Sequence, residues 1–294
     1  MKTVAILSPG DMGHAVGQLL LEHELRVVTC LAGRSARTRA LSEKAGIVDL
    51  PSLEEMVSQS DVILSITVSE AVPDVCRMVA DAMLATGAKP LFGECNAVAP
   101  QLTRRMEPII TAAGGRFVDA SIIGGPPRNG SSPRFYASGP HAAEFEGLRE
   151  FGLDVRNIGP EIGQASGIKM CYAAMTKGSS ALYTQLLVAA EAMGLLEPLK
   201  AEFQSGQAPV LQRMERSLSG VPARSRRWVS EMQEIAATFQ HLGLTPFLFQ
   251  GVADMYRYIG DTPLGEETPE ARNTGRNLDE TIRQLAAYLE PPPE

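Results

Sequence analysis

The stretch that decides the fold is Val4-Ala-Ile-Leu-Ser-Pro-Gly-Asp-Met-Gly13. The apolar run Val4 to Leu7 reads as a short strand buried on both faces, because a half-exposed strand would alternate. It passes directly into Ser8, Pro9, Gly10, Asp11, Met12 and Gly13, and from there into a helical pattern over 12–22. Glycines between a strand and a helix let the chain turn tightly and come close to a ligand. The N–H groups that open such a helix meet the negative charge of a pyrophosphate. Ser8 stands where the first glycine of a G-x-G-x-x-G pattern would be, so context carries the reading as much as the letters do. A plain strand–helix turn that binds nothing is the competing explanation.

Working outward, the same alternation continues. Apolar runs at 26–31, 61–66, 90–92 and 116–119 read as strands, and 38–45, 70–85 and 100–113 as the helices between them, with 134–137 and 155–158 as late strands. Strand–helix alternation implies a parallel sheet with crossover helices. After Gly163 strand signals give way to long helical patterns. One helix runs from about Gln164 into 186–196, and another starts near Pro222 with an apolar stripe of Trp228, Met232, Ile235, Phe239 and Leu242. A last helix carries Leu278, Ile282, Leu285 and Leu289 on one face. The expected architecture is α/β: an N-terminal Rossmann-type parallel-sheet domain over 1–162, followed by an all-helical C-terminal domain over 163–294.

Composition narrows the functional classes. Of 294 residues, 44% are hydrophobic and 21% charged, enough for a sizeable core and without a bias toward disorder. A net charge of -7 argues against a nucleic-acid partner, which requires a basic face. Four cysteines, Cys30, Cys76, Cys95 and Cys171, are scattered without metal-ligand spacing, so free thiols in a reducing compartment are expected and no metal. No apolar stretch has the length of a membrane span or a signal-peptide core, which points to a cytoplasmic protein.

The end of the second strand bears on the dinucleotide. A site for NAD places an acid there to bond the ribose 2′-hydroxyl. This chain has Ala32-Gly-Arg-Ser-Ala-Arg37 and no carboxylate from Thr29 to Arg39. A guanidinium grips a 2′-phosphate that an acid would repel, so Arg34, Ser35 and Arg37 favour NADP; a solvated basic loop is the alternative. Ile66, Thr67 and Val68, closing the third predicted strand, complete the expected cofactor contacts together with Asn96.

These residues resemble the β-hydroxyacid dehydrogenase family, which includes 3-hydroxyisobutyrate and 6-phosphogluconate dehydrogenases. The resemblance rests on four landmarks in order: Gly10-Asp-Met-Gly13, Glu94-Cys-Asn-Ala-Val-Ala-Pro100, Asp119-Ala-Ser-Ile-Ile-Gly-Gly125, and Gly163-Gln-Ala-Ser-Gly-Ile-Lys169. The run from Lys169 to Gly178 and the 228–246 region resemble a bacterial branch described as phosphogluconate dehydrogenase-like. The resemblance implies a nicotinamide-dependent dehydrogenase with Lys169 as its catalytic lysine. It also implies substrate contacts from Asn96, Ser121, Gly124, Gly125, Tyr172 and Thr176, and a homodimer formed through the helical domain. Three places depart from the family pattern. Ile123 replaces a serine, Tyr172 replaces an asparagine, and Glu231 falls near the place of a lysine, which shifts expectation from a small hydroxy acid toward a bulkier, less charged or aromatic substrate.

The residues around Lys169 are compatible with proton transfer, although spacing alone favours a solvated lysine and only the family motif reverses that preference. Hydride transfer to a carbonyl leaves charge developing on oxygen, and a lysine can donate the proton near neutral pH when its surroundings lower its pKa. At about 100° per residue, Lys169, Tyr172, Thr176, Ser180 and Tyr183 share a narrow polar stripe on a helix otherwise lined by small or apolar residues. A lysine snorkelling to solvent is the alternative. Asn96 is equally readable as a turn former, Gly124 and Gly125 as a loop pair, and Tyr172 as core packing. Two rival functions stay open: an imine reductase of the same fold, and an NADP-binding sensor without turnover.

Overall fold

The computed structural model describes residues 1–128 and 132–289. It separates into two compact units, Met1–Met170 and Cys171–Glu294.

In the first unit the predicted alternation is realised as β1 (Thr3–Leu7), α1 (Asp11–Glu22), β2 (Arg26–Thr29), α2 (Ala36–Ala45), β3 (Val48–Asp49), α3 (Leu53–Ser58), β4 (Val62–Ser65), α4 (Val72–Thr86), β5 (Leu91–Glu94), α5 (Pro100–Ala112), β6 (Arg116–Ile123), β7 (Arg134–Ser138), α6 (Ala142–Glu146) and β8 (Asp154–Asn157). The strands form one sheet in the order β3-β2-β1-β4-β5-β6-β7-β8. β1 to β6 are parallel, as expected, but β7 pairs antiparallel with β6, and β8 runs parallel to β7. The last two strands are thus reversed relative to the others, which hydrophobic pattern alone does not reveal.

Both sheet faces are covered, as the unbroken apolar runs require. Val4 and Ile6 of β1 belong to one core layer with Val16 and Leu20 of α1 and Phe145 of α6. Ala5 and Leu7 belong to the other, with Val75 and Val79 of α4 and Met106 of α5. Gly93 of β5 shows how tightly the first layer is filled, since a Cβ there would lie 2.6 Å from the Phe145 ring.

The helices after residue 163 are α7 (Gln164–Ala192), α8 (Leu196–Gly206), α9 (Ala208–Ser217), α10 (Ser225–His241), α11 (Phe247–Asp261) and α12 (Leu278–Ala286). α7 belongs to both units, starting in the first and continuing in the second. In α10 Met232 and Ile235 are fully buried, but the expected stripe ends early, with Leu242 67% exposed. The helix stops at His241, and Gly243 adopts a left-handed φ of 80°, which carries Leu242 off the buried face. Leu289 is likewise exposed beyond the end of α12. Among the described residues no helix is long and apolar enough to cross a membrane.

Candidate cofactor and proton-transfer site

β1 and β4 are neighbours whose connections leave in opposite directions, to β2 on one side and to β5 on the other. In open α/β sheets the crevice at the carboxyl ends of such a pair is where ligands bind. The glycine turn lies there. Ser8 adopts φ 56°, the left-handed conformation that a glycine would take without strain. The turn is tightened by a 2.6 Å bond from the Gly10 N–H to the Ser8 carbonyl. The two glycines have different roles. A Cβ on Gly13 would meet Ile6 at 3.1 Å and the Ser8 oxygen at 3.3 Å, so Gly13 lets α1 pack against β1. A Cβ on Gly10 would meet only the Ser8 oxygen at 3.8 Å, which leaves the approach to the backbone open. Gly10 caps α1 without a side-chain acceptor, so its first N–H groups suit an anion. This open cradle fits the diphosphate of a dinucleotide. Met12 packs against the core and Pro9 is buried, so these two shape the turn.

At the end of β2, Gly33 turns with φ 71° and Arg34 is half-buried. Ser35 is the N-cap of α2, its hydroxyl accepting from the Thr38 N–H at 3.2 Å, and Arg37 is exposed in that helix's first turn. The sequence reading missed one carboxylate. Asp49 of β3 accepts the Leu31 N–H at 2.8 Å, so an acid does reach the end of β2, from a neighbouring strand.

The ends of β4 and β5 are cross-linked by Asn96. Its side-chain carbonyl accepts the Thr67 N–H at 2.6 Å, and its amide donates to Glu94 Oε1 at 2.6 Å and to Ser65 Oγ at 3.2 Å. Asn96 and the Thr67 N–H are therefore engaged with each other, fixing the path of the chain after β4. Ile66 is buried along that path and Val68 is 47% exposed. Glu94 is buried, and among the described residues its Oε2 has no partner. Burial pushes its pKa up to about 7, with the charge of Asp119 adding to the rise against bonds from Asn96 and Ser65.

Asp119 lies opposite Glu94 in the sheet register and is wholly buried. Its Oδ2 accepts from the Gly163 N–H at 2.8 Å, the Ser166 N–H at 3.0 Å and the Ser138 hydroxyl at 3.2 Å; its Oδ1 accepts from the Ser166 hydroxyl at 2.6 Å. The Ala165 N–H donates to Ser138 Oγ at 3.0 Å. The N–H groups that open α7 are thus satisfied by side chains from β6 and β7, a cap supplied from distant sequence. Burial still raises the Asp119 pKa despite these bonds.

One turn beyond Ser166, half-buried Lys169 donates from Nζ to the Ile122 carbonyl at 2.6 Å. Its ammonium is therefore fastened to the carboxyl end of β6. Gly124 follows with φ 126°, a backbone that side chains rarely adopt, and Gly125 is open on its Cβ side. Ser121 is wholly buried, its hydroxyl without a partner among the described residues.

The remaining candidates belong to the second unit. Tyr172 is 45% exposed, and Thr176 donates to the Tyr172 carbonyl at 3.1 Å. Lys177 pairs with Glu231, lies 5.3 Å from the Trp228 ring centre, and has its carbonyl bonded by the Tyr256 hydroxyl at 2.6 Å. Cys95 is a buried free thiol, whereas Cys171 is exposed on α7.

Residues 3–151, half of the chain, match the NAD-binding domain of 6-phosphogluconate dehydrogenase. The chain belongs to that family. Within this 6-phosphogluconate dehydrogenase-like protein, residues 190–259 also match a domain of unknown function, DUF1932. Among solved structures it is similar to a conserved protein of unknown function described as structurally similar to 3-hydroxyacid dehydrogenases, with 26% identity, 88% of this chain and 97% of that one covered, and TM-score 0.66. It shares its fold with a 3-hydroxyisobutyrate dehydrogenase from Salmonella typhimurium (18% identity, 97% and 100% covered, TM-score 0.70). It shares it also with an imine reductase from Myxococcus stipitatus in complex with NADP+ (20% identity, 96% and 99% covered, TM-score 0.56). The protein is thus a dehydrogenase-like, nicotinamide-binding member of its fold.

The buried Glu94 gives a pH signature. Its folded pKa lies above the ordinary 4.5, so between those two values the native state holds a proton that the unfolded chain releases. Stability is therefore greatest below the lower value and is lost as pH rises through about 7. Thermal melts across this range should show that decline in the wild type. Glu94→Gln keeps an acceptor for Asn96 and should flatten the decline, leaving the slope that Asp119 contributes in the same direction; an unaltered slope would refute the assignment.

Proposed function

We propose that this protein is an NADP-dependent oxidoreductase that interconverts a hydroxyl and a carbonyl, with Lys169 as general acid in reduction and general base in oxidation. The observation that carries the reading is the Lys169 Nζ–Ile122 carbonyl bond, which holds an ammonium at the carboxyl end of the sheet, the side on which ligands of such sheets bind. The glycine turn over Ser8 to Gly13 would hold the diphosphate, and the turn after β4, fixed by Asn96, would border the nicotinamide. Arg34, Ser35 and Arg37 would hold the 2′-phosphate. The chemistry that a nicotinamide would supply there, when bound, is the giving or taking of a hydride. Lys169 delivers a proton from Nζ to the oxygen on which charge develops, and recovers it in the reverse direction. Gly124 and Gly125 would let substrate approach the backbone. The retained lysine favours C=O over C=N reduction and favours turnover over a purely sensory role.

A homodimer through the helical domain belongs to the same reading. Met175, Ser179, Leu182, Leu186 and Ala189 recur on α7 at spacings of four and three, with Met193 just past its end, a heptad seam without a charged residue. Met175 and Leu182 are each 57% exposed and Met193 65%. A self-complementary apolar seam of this length suits the same helix of a second copy.

Three experiments test these statements. Lys169→Ala should leave NADPH affinity nearly unchanged while lowering turnover on the order of a hundredfold or more, across a panel of aldehydes, ketones and cyclic imines; wild-type turnover in that variant would end the proposal, and activity confined to imines would move it to C=N. Arg34→Ala should weaken NADPH but not NADH, and an unchanged preference between the two would reject the 2′-phosphate role. Leu182→Glu should convert a dimer to a monomer in sedimentation, whereas a monomeric wild type or a dimeric variant would dismiss the α7 seam.

A further inference from the structure

The glycine turn contains a group that works against its proposed ligand. Asp11 is the first residue of α1, at the N-terminal end where the diphosphate would lie. A carboxylate there is favourable to the bare helix, because it faces the positive end of the helix dipole. Toward a diphosphate it is a like charge. The Asp11 side chain is 21% exposed, and Arg128 reaches it from the segment after Gly125, with Nη2 3.1 Å from Asp11 Oδ1. Arg128 itself is 62% exposed. An ion pair so open to water adds little to stability, so holding the fold together is a poor explanation for it.

We propose that Arg128 is a ligand for the cofactor's diphosphate, tethered at the mouth of the glycine turn by Asp11. The inference rests on the cofactor reading above and adds a residue to it. A guanidinium presents five N–H donors in a planar fork, so one edge can remain on Asp11 while another faces phosphate oxygens. The bridging cation separates the carboxylate from the diphosphate and turns a repulsion into two attractive contacts. The turn's own donors are backbone N–H groups, and its backbone is open at Gly10. A side-chain cation supplied over the top completes the charge balance. Arg34 and Arg37 belong to a different part of the dinucleotide, beyond the end of β2.

The test is nucleotide binding, followed by fluorescence titration with NADPH and with NADH. Arg128→Ala should weaken both by the same factor, about tenfold or more, because both nucleotides carry the diphosphate. The preference between them should stay as in the wild type, in contrast to Arg34→Ala. Arg128→Lys keeps the charge but loses the fork and should fall between. The Arg128→Ala change is then repeated in an Asp11→Asn background. The same fold-loss there supports a direct ligand, whereas a silent change would mean that Arg128 only neutralises Asp11 and would overturn the proposal. Undiminished binding by Arg128→Ala would overturn it as well, leaving the cofactor reading intact. A wild type that binds neither nucleotide would remove both.

Discussion

The arrangement depends on one buried carboxylate. Asp119 sits inside the sheet, where burial penalises its charge, and is compensated by four hydrogen bonds, two of them from backbone N–H groups at the start of α7. An apolar residue at this place would avoid the desolvation cost but would leave those N–H groups buried without acceptors. Because β6 holds α7 a second time, through the Ile122 carbonyl and Lys169, strand and helix are joined at two points about one helical turn apart. The position of the lysine follows from that double attachment.

The rest of the crevice is built by the same means, with polar side chains fixing backbone at the carboxyl ends of neighbouring strands. Asn96 joins β4 to β5, Asp119 and Ser138 join the sheet to α7, and the Gly10 turn joins β1 to α1. Residues 3–151, which carry this polar edge, are the part of the chain that matches the NAD-binding domain of 6-phosphogluconate dehydrogenase. Glu94 Oε2, without a partner among the described residues, belongs to the same edge.

Local features were legible from the sequence. The glycine turn, the alternation of strands and helices and the change of character after residue 163 all rest on short-range pattern, and each appears in the structure close to its expected place. The expectation for Lys169 rests on its motif, since spacing alone does not separate a lysine held at the end of β6 from a solvated one. What escaped was non-local. Asp119 caps a helix 44 and 47 residues further along, and Asp49 reaches the end of β2 from another strand; neither separation leaves a trace in periodicity. The reversal of β7 and β8 escaped because alternation carries no direction. Leu242 was misplaced because a left-handed glycine ended the helix one residue earlier than the apolar spacing implied. The short β3 and α3 are too brief to show a period.

The remote cap of α7 also orders the assembly of the chain. The acceptors for the first turn of this helix come from β6 and β7, both synthesised earlier. The helix can propagate from its middle as soon as it leaves the ribosome, but its beginning has no acceptors until that edge of the sheet has formed. Docking of the capped turn is therefore a late event, requiring closure of a loop that spans the segment between Asp119 and Gly163. The lysine acquires its fixed orientation only when that closure is complete, so a half-assembled chain does not hold this ammonium at the end of β6.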